Sequence, residues 1–208
     1  MITQGDRWLV AGAIWGPGLF ILAWVVGGFM MDGYSPIEDH ISALAAVTAP
    51  SRFVMNLGFA AYVAGVGSAA WPLRKVIGNG ASVFLFVNAL LVLGVLFTPD
   101  GLSSNADFLH GGFAILTYLT LALVGPLAAL TFRRNGRVGW AIGSMAVGTI
   151  TSLSLWFSLA QTNSGLFQRI GLTTTDLWLM VVGIAYLNGH FFPDRSVGGS
   201  TAGGGEGG

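Results

Sequence analysis

The 208-residue chain has no cysteine, which excludes disulfides, thiolate metal sites, iron–sulfur clusters and covalently attached c-type haem. Charge is almost as scarce. Only 9% of residues are Asp, Glu, Lys or Arg, and nine cations balance nine anions. With no basic stripe anywhere along the chain, nucleic acid is excluded as a partner. Neither H-E-x-x-H nor G-x-S-x-G occurs, so the chain carries no zinc-protease helix and no nucleophile elbow.

Apolar sequence fills the space instead. Hydrophobic residues make up 53% of the chain, and its mean hydropathy is +0.72. Six apolar stretches, at 8–30, 53–72, 80–98, 109–132, 138–160 and 173–192, are each long enough to cross a bilayer. At 1.5 Å rise per residue, ~20 helical residues cover the ~30 Å hydrocarbon core. The expected fold is therefore all-α: a polytopic membrane bundle of six transmembrane helices over residues 1–195, followed by a Gly-rich tail over 196–208. The first stretch is about twice the length of a signal-peptide core. No A-x-A site follows it before Tyr34, so it reads as a retained anchor. Small residues recur at helix-packing spacing in Gly12-x-x-x-Gly16, Ala61-x-x-x-Gly65-x-x-x-Ala69 and Gly139-x-x-x-Gly143. Pro17, between Gly16 and Gly18, is expected to kink the first helix.

Charge predicts the orientation. Arg7, Arg74, Lys75, Arg133, Arg134, Arg137 and Arg195 fall on one side of a six-span layout, leaving Arg52 and Arg169 on the other. The positive-inside rule then places both termini in the cytoplasm, with the chain in the inner membrane. On the opposite, outer side collect Asp32, Glu38, Asp39, Asp100, Asp107, Asp176, His40 and His110.

The outer loops hold the residues suited to chemistry. Ser35, Pro36 and Glu38 form a helix-start signal, and Ile37, Ile41, Leu44 and Ala45 share one face. This predicts a short amphipathic helix near 36–47, lying at the membrane surface or folded back over the bundle. Its polar face either meets water or contributes to a site. Asp107 and His110 are neighbours on one helical face, with Ser104 and Asp107 as a capping pair. An imidazole beside a carboxylate suits metal binding or general-base catalysis, and equally an ordinary orienting hydrogen bond. Arg169 is placed to pair with Asp39, Asp100 or Asp107, or to hold a lipid phosphate. His190 lies at the other end and reads as an interfacial histidine. The tryptophans, among them Trp8, Trp71, Trp140 and Trp178, read as interfacial belts.

The segments Gly33-Tyr34-Ser35-Pro36…His40-Ile41-Ser42-Ala43-Leu44, Thr98-Pro99-Asp100, His110-Gly111 and Gly165-Leu166-Phe167-Gln168-Arg169-Ile170 resemble the prokaryotic membrane family called domain of unknown function 998. The resemblance runs from the first stretch to the sixth. It implies a helical membrane protein of about six spans and brings no activity with it.

Two functions compete. In the first, an outer-face site binds a metal ion or an anionic lipid-like ligand, with hydrolysis as one use. His40, Asp107 and His110 are its candidate metal ligands, zinc being the ion such a set would take, and Asp100 could replace Asp107. Asp39, Ser42, Asp100, Gln168 and Arg169 are its candidate ligand-binding residues. In the second, the chain is a non-catalytic accessory subunit whose partners are the bilayer and other membrane protein subunits. A transporter ranks third, because no stretch carries a carboxylate at mid-membrane depth.

Overall fold

The structure, a computed structural model, describes residues 3–159 and 163–192; the Gly-rich tail expected over 196–208 lies outside them. Among the described residues the fold is all-α, with five helices, one 3-10 helix and no strand. The helices are α1 (Gln4–Phe29), α2 (Arg52–Phe97), α3 (Ser104–Arg134), α4 (Val138–Ser158) and α5 (Ser164–Leu187). All five are long and apolar enough to cross a membrane.

The count of six is not what the helices show, because the expected second and third spans run together as the 46-residue α2. The loop expected at 73–79 is helical up to a single break at Gly78, with φ 86° and ψ 161°. That backbone geometry is open to glycine and strained for other residues. The break doubles the helix back on itself. Tyr62 and Asn88 are 26 residues apart, about 39 Å along a straight helix, yet the Tyr62 hydroxyl donates to Asn88 Oδ1 at 2.8 Å. Ser82 Oγ likewise donates to the Ala70 carbonyl at 2.6 Å. Because Leu73, Val76 and Ile77 are fully buried right up to the reversal, one residue replaces a loop.

Each helix packs against its neighbour in the chain, and α5 closes the ring against α1. The α1–α2 contact uses the small-residue ridges. A Cβ on Gly65 would lie 2.6 Å from the Gly12 carbonyl oxygen and 2.7 Å from Gly16 Cα, so the two backbones touch. Such close approach lets dispersion hold helices together where lipid offers no hydrophobic drive. Pro17 stands inside α1, which is helical throughout from Gln4 to Phe29. The outer surface is apolar, with Leu22, Leu119, Ile142, Leu153 and Val181 exposed, as expected of helices facing hydrocarbon.

The two ends differ. At the basic end Lys75 pairs with Asp6 at 2.7 Å, Arg7 donates to the Leu187 carbonyl, and Arg137 donates to the Phe191 carbonyl at 2.6 Å. His190 is exposed there and accepts from Trp140 Nε1 at 3.3 Å. Trp8 and Trp71 are exposed, whereas Trp178 is buried and donates to Ser144 Oγ, so it belongs to the core and not to a belt.

At the opposite, loop end the 34–47 segment turns inward. The expected amphipathic surface helix is only a 3-10 helix, Ile41–Ala45, and Ile41, Leu44 and Ala45 are buried in the bundle. The start signal is real, since Ser35 Oγ accepts from Glu38 N. The Asp39 carboxylate accepts from Ser35 N at 2.8 Å and closes the turn before a helix can propagate.

Candidate functional site

Residues 164–171, expected in a loop, form the first two turns of α5. This moves two predicted site residues into the bundle. Gln168 and Arg169 are buried at 5% and 7% exposure. The 34–41 segment is stitched onto them. Ile41 N donates to Gln168 Oε1 at 2.7 Å, Leu166 N to the Ile37 carbonyl at 2.9 Å, and Ser164 Oγ to the Glu38 carbonyl at 2.8 Å. Gln168 Nε2 also donates to the Tyr118 hydroxyl of α3.

Arg169 makes no ion pair with any carboxylate among the described residues. Its Nη1 donates to the carbonyls of Pro36, Asp39 and Gly165 at 2.7, 2.9 and 2.9 Å, and its Nη2 to the Tyr34 hydroxyl. It therefore takes Asp39 by the backbone, not by the side chain. Burial holds the Tyr34 phenol above its ordinary value despite the opposing Arg169 charge, so the hydroxyl stays protonated and donates to the His40 carbonyl at 3.2 Å. The guanidinium is thus a strut that holds the loop in place.

Beneath this strapped loop lies a chamber of about 60 Å3, room for a few waters or one compact group. Ile41 and Ser42 of the loop roof it, and Gln168 and His110 line it from the first turns of α5 and α3. Phe20, Phe59, Tyr62 and Leu172 make its walls, with Thr117 and Asp176 deeper in. Three residues lining this chamber each hold a buried polar atom with no hydrogen-bond partner among the described residues: His110 Nε2, Thr117 Oγ1 and Asp176 Oδ2.

His110 is 5% exposed. Its Nδ1 lies 2.7 Å from the Thr98 carbonyl, which only accepts, so the geometry assigns the hydrogen to Nδ1. That leaves Nε2 as an acceptor, 3.5 Å from Asp100 Oδ2. A tautomer fixed by a carbonyl leaves the other ring nitrogen able to accept a proton, as a general base must, and the Asp100 carboxylate stands where it would pair with the imidazolium so formed.

The expected metal ligands are dispersed. Among the described residues no three His, Asp or Glu side chains could share a metal ion. His40 is exposed, and the exposed Asp107 accepts from Gly101 N at 2.8 Å. Ser103, one residue earlier than expected, caps α3. His110 pairs with Asp100 instead. These residues do not fit a zinc site, so no chemistry passes through one.

Asp176 is the residue that sequence reasoning misplaced. Taken as an outer-side acid, it stands twelve residues into α5, about 18 Å along the helix, at 2% exposure. The premise that demoted a transporter therefore fails. The signal was present in Leu166, Phe167, Ile170 and Leu172, whose apolar spacing continues the helix upstream. Thr117 was also missed, as were Tyr62 and Asn88. Asn88 Nδ2 donates to the Thr117 carbonyl and to Thr120 Oγ1, tying the α2 hairpin to α3 behind the chamber.

Residues 14–185 match the model of the family described as "Protein of unknown function (DUF998)". No curated protein and no solved structure matches the chain.

Proposed function

The chain belongs to the DUF998 family of proteins of unknown function, and we propose that it is an inner-membrane protein binding a small ligand in this chamber. The two antiparallel arms of α2 support six crossings in all, and the basic residues at the Gly78 end support cytoplasmic termini. The chamber then lies beneath the outer loops.

One observation carries the reading: three of the residues lining one small cavity in an apolar bundle each hold a buried polar atom with no hydrogen-bond partner among the described residues. An unpaired buried polar group costs about 1–3 kcal/mol, a deficit that a partner entering the chamber removes. Mostly apolar walls with a few convergent polar groups are the usual make-up of a small-molecule site. His110, Ser42, Thr117, Gln168 and Asp176 would contact the ligand. Hydrolysis is one use of such a site, with His110 Nε2 taking a proton from Ser42 or from an entering water. The anionic ligand loses support, because both terminal nitrogens of Arg169 are committed to the loop. The Asp39 carboxylate is likewise committed to its own turn, and Asp100 serves through His110.

The chain's lack of cysteine makes the test clean. Ser42→Cys should react with a small membrane-impermeant thiol reagent applied from outside, and adding Ala114→Trp to fill the chamber should block that reaction. A folded Ser42→Cys protein that reacts from neither side of the membrane would end the ligand-site reading.

A second reading, as an accessory subunit, is favoured by a different face. A Cβ on Gly139 or Gly143 would meet nothing within 4 Å, although both line an open groove between α4 and α5. The other small-residue ridges are used inside the chain; this one is free to receive a helix from another subunit. Co-purifying chains that disappear with Gly143→Leu would support it.

A further inference from the structure

We infer that the ligand of the chamber is a compact organic ammonium, its nitrogen held at Asp176 and Thr117 and its body against an aromatic wall. This inference rests on the ligand-site reading above and adds the chemical class.

Charge is the first argument. Asp176 is a carboxyl group at 2% exposure that makes no ion pair among the described residues. The cation nearest in sequence on its own helix is Arg169, seven residues away, and its terminal nitrogens are bound to the loop carbonyls and Tyr34. From the other helices the titratable groups lining the chamber are His110, Tyr62 and Tyr118, and none of them is a fixed cation. An ionised carboxylate at this depth is costly unless paired, and carboxyls inside membrane helices mark ligand, ion or proton sites.

The walls supply the second argument. Phe20 packs on Phe59 and Tyr62 with ring centroids 5.6 and 5.5 Å apart, so three rings form one patch on the chamber that Asp176 lines. Ring faces attract a cation, and aromatic boxes completed by a carboxylate recognise alkylammonium groups. The Tyr62 hydroxyl is held by Asn88, which fixes that ring in place.

The acceptors give the third. His110 Nε2 accepts, Thr117 Oγ1 can accept, and an ionised Asp176 only accepts, so the unpartnered set calls for a ligand rich in hydrogen-bond donors. Thr117 follows His110 by seven residues, about 10 Å along α3. The ammonium therefore sits at the floor, and His110 meets a second donor nearer the roof. A hard metal cation is a poorer fit, because it needs about six oxygen ligands.

The test uses the full chain in lipid nanodiscs carrying Ser42→Cys as the only cysteine. Labelling of that thiol is followed with n-butylammonium, 1-butanol or butyrate as the added probe. Saturable protection by butylammonium alone is the expected result, weakened at least about tenfold by Asp176→Asn. Phe59→Leu, which leaves the carboxyl untouched, should weaken it several-fold, so the inference does not hang on one variant's folding. Equal protection by butanol or butyrate, or butylammonium protection undiminished in a folded Asp176→Asn protein, would overturn the ammonium while leaving the chamber a ligand site. A labelled thiol that none of the three protects also overturns it. A thiol that never labels removes the chamber reading and this inference with it.

Discussion

Replacing Arg169 by lysine keeps the charge and removes the fork. In the native bundle Nη1 bridges the carbonyls of Pro36, Asp39 and Gly165 while Nη2 reaches Tyr34. The Gly165 carbonyl belongs to the first turn of α5, whereas the other three partnerships connect α5 to the loop. A lysine ammonium is a single point with three donors and cannot serve groups on both sides of a guanidinium plane. It should keep one loop carbonyl and lose the other, together with the Tyr34 hydroxyl. Two hydrogen bonds to a charged donor, at about 1.5 kcal/mol each, amount to about 3 kcal/mol. With tenfold per 1.4 kcal/mol, the loop opens about a hundredfold more often.

Amide hydrogen exchange measures that opening directly. In Arg169→Lys the amides of Ser35, Asp39, Ile41 and Leu166, which are tied down in this loop, should exchange about a hundredfold faster. Amides at the basic end, around Gly78 and Arg137, should not change. Because Ile41 and Ser42 roof the chamber, the Ser42→Cys thiol should also label faster in the same background. Exchange in 35–41 that stays within about threefold of wild type would refute the strut, since a lost 3 kcal/mol cannot hide in so small a change. Slower exchange on adding phosphate to wild type would refute it differently, by showing that the guanidinium is free to take an anion.

Other substitutions probe the rest of the frame. Gly65→Leu drives a side chain into the Gly12 carbonyl and Gly16 Cα, and should cost at least about 1–3 kcal/mol, seen as a lower thermal midpoint in detergent. A Cβ at Gly143 meets nothing within 4 Å, so Gly143→Leu should leave that midpoint unchanged while reducing any co-purifying partner. Gly78→Ala adds a Cβ against Thr131 at a positive φ, and should destabilise by about 1–3 kcal/mol in the same assay. Single cysteines at Ser104 and Gly136 should label from opposite sides of the membrane, the first from outside; labelling of both from one side would refute an odd number of crossings between them.

Hydropathy and small-residue spacing made much of this fold legible. Gly12, Gly16, Ala61 and Gly65 meet across α1 and α2 as their ridges suggested, because backbone contact in lipid leaves few alternatives to glycine. The expected loop residues Ser42, Gln168 and His110 do line one chamber, although they lie far apart in the chain. What misled was charge. Arg169 reads as a loop residue, and the expected sixth span at 173–192 begins nine residues after α5 does. Arg74 and Lys75 looked like a loop, although buried Leu73, Val76 and Ile77 carry the helix straight through them.

Both errors have one physical source, and it bears on the function. A charged residue enters an apolar bundle when the neighbouring backbone offers enough carbonyls, and nothing in the sequence announces those carbonyls. For Arg169 they come from Pro36 and Asp39, more than 120 residues away. Starting α5 at Ser164 then carries Asp176 from the surface to the middle of the helix, where its Oδ2 has no hydrogen-bond partner among the described residues. The two buried charged residues of α5 therefore differ. Arg169 commits both terminal nitrogens to holding the roof, although its Nε has no hydrogen-bond partner among the described residues, whereas Asp176 lines the chamber with its Oδ2 unpartnered. Stabilisation accounts for the first, and the proposed ligand would supply the partner that the second lacks.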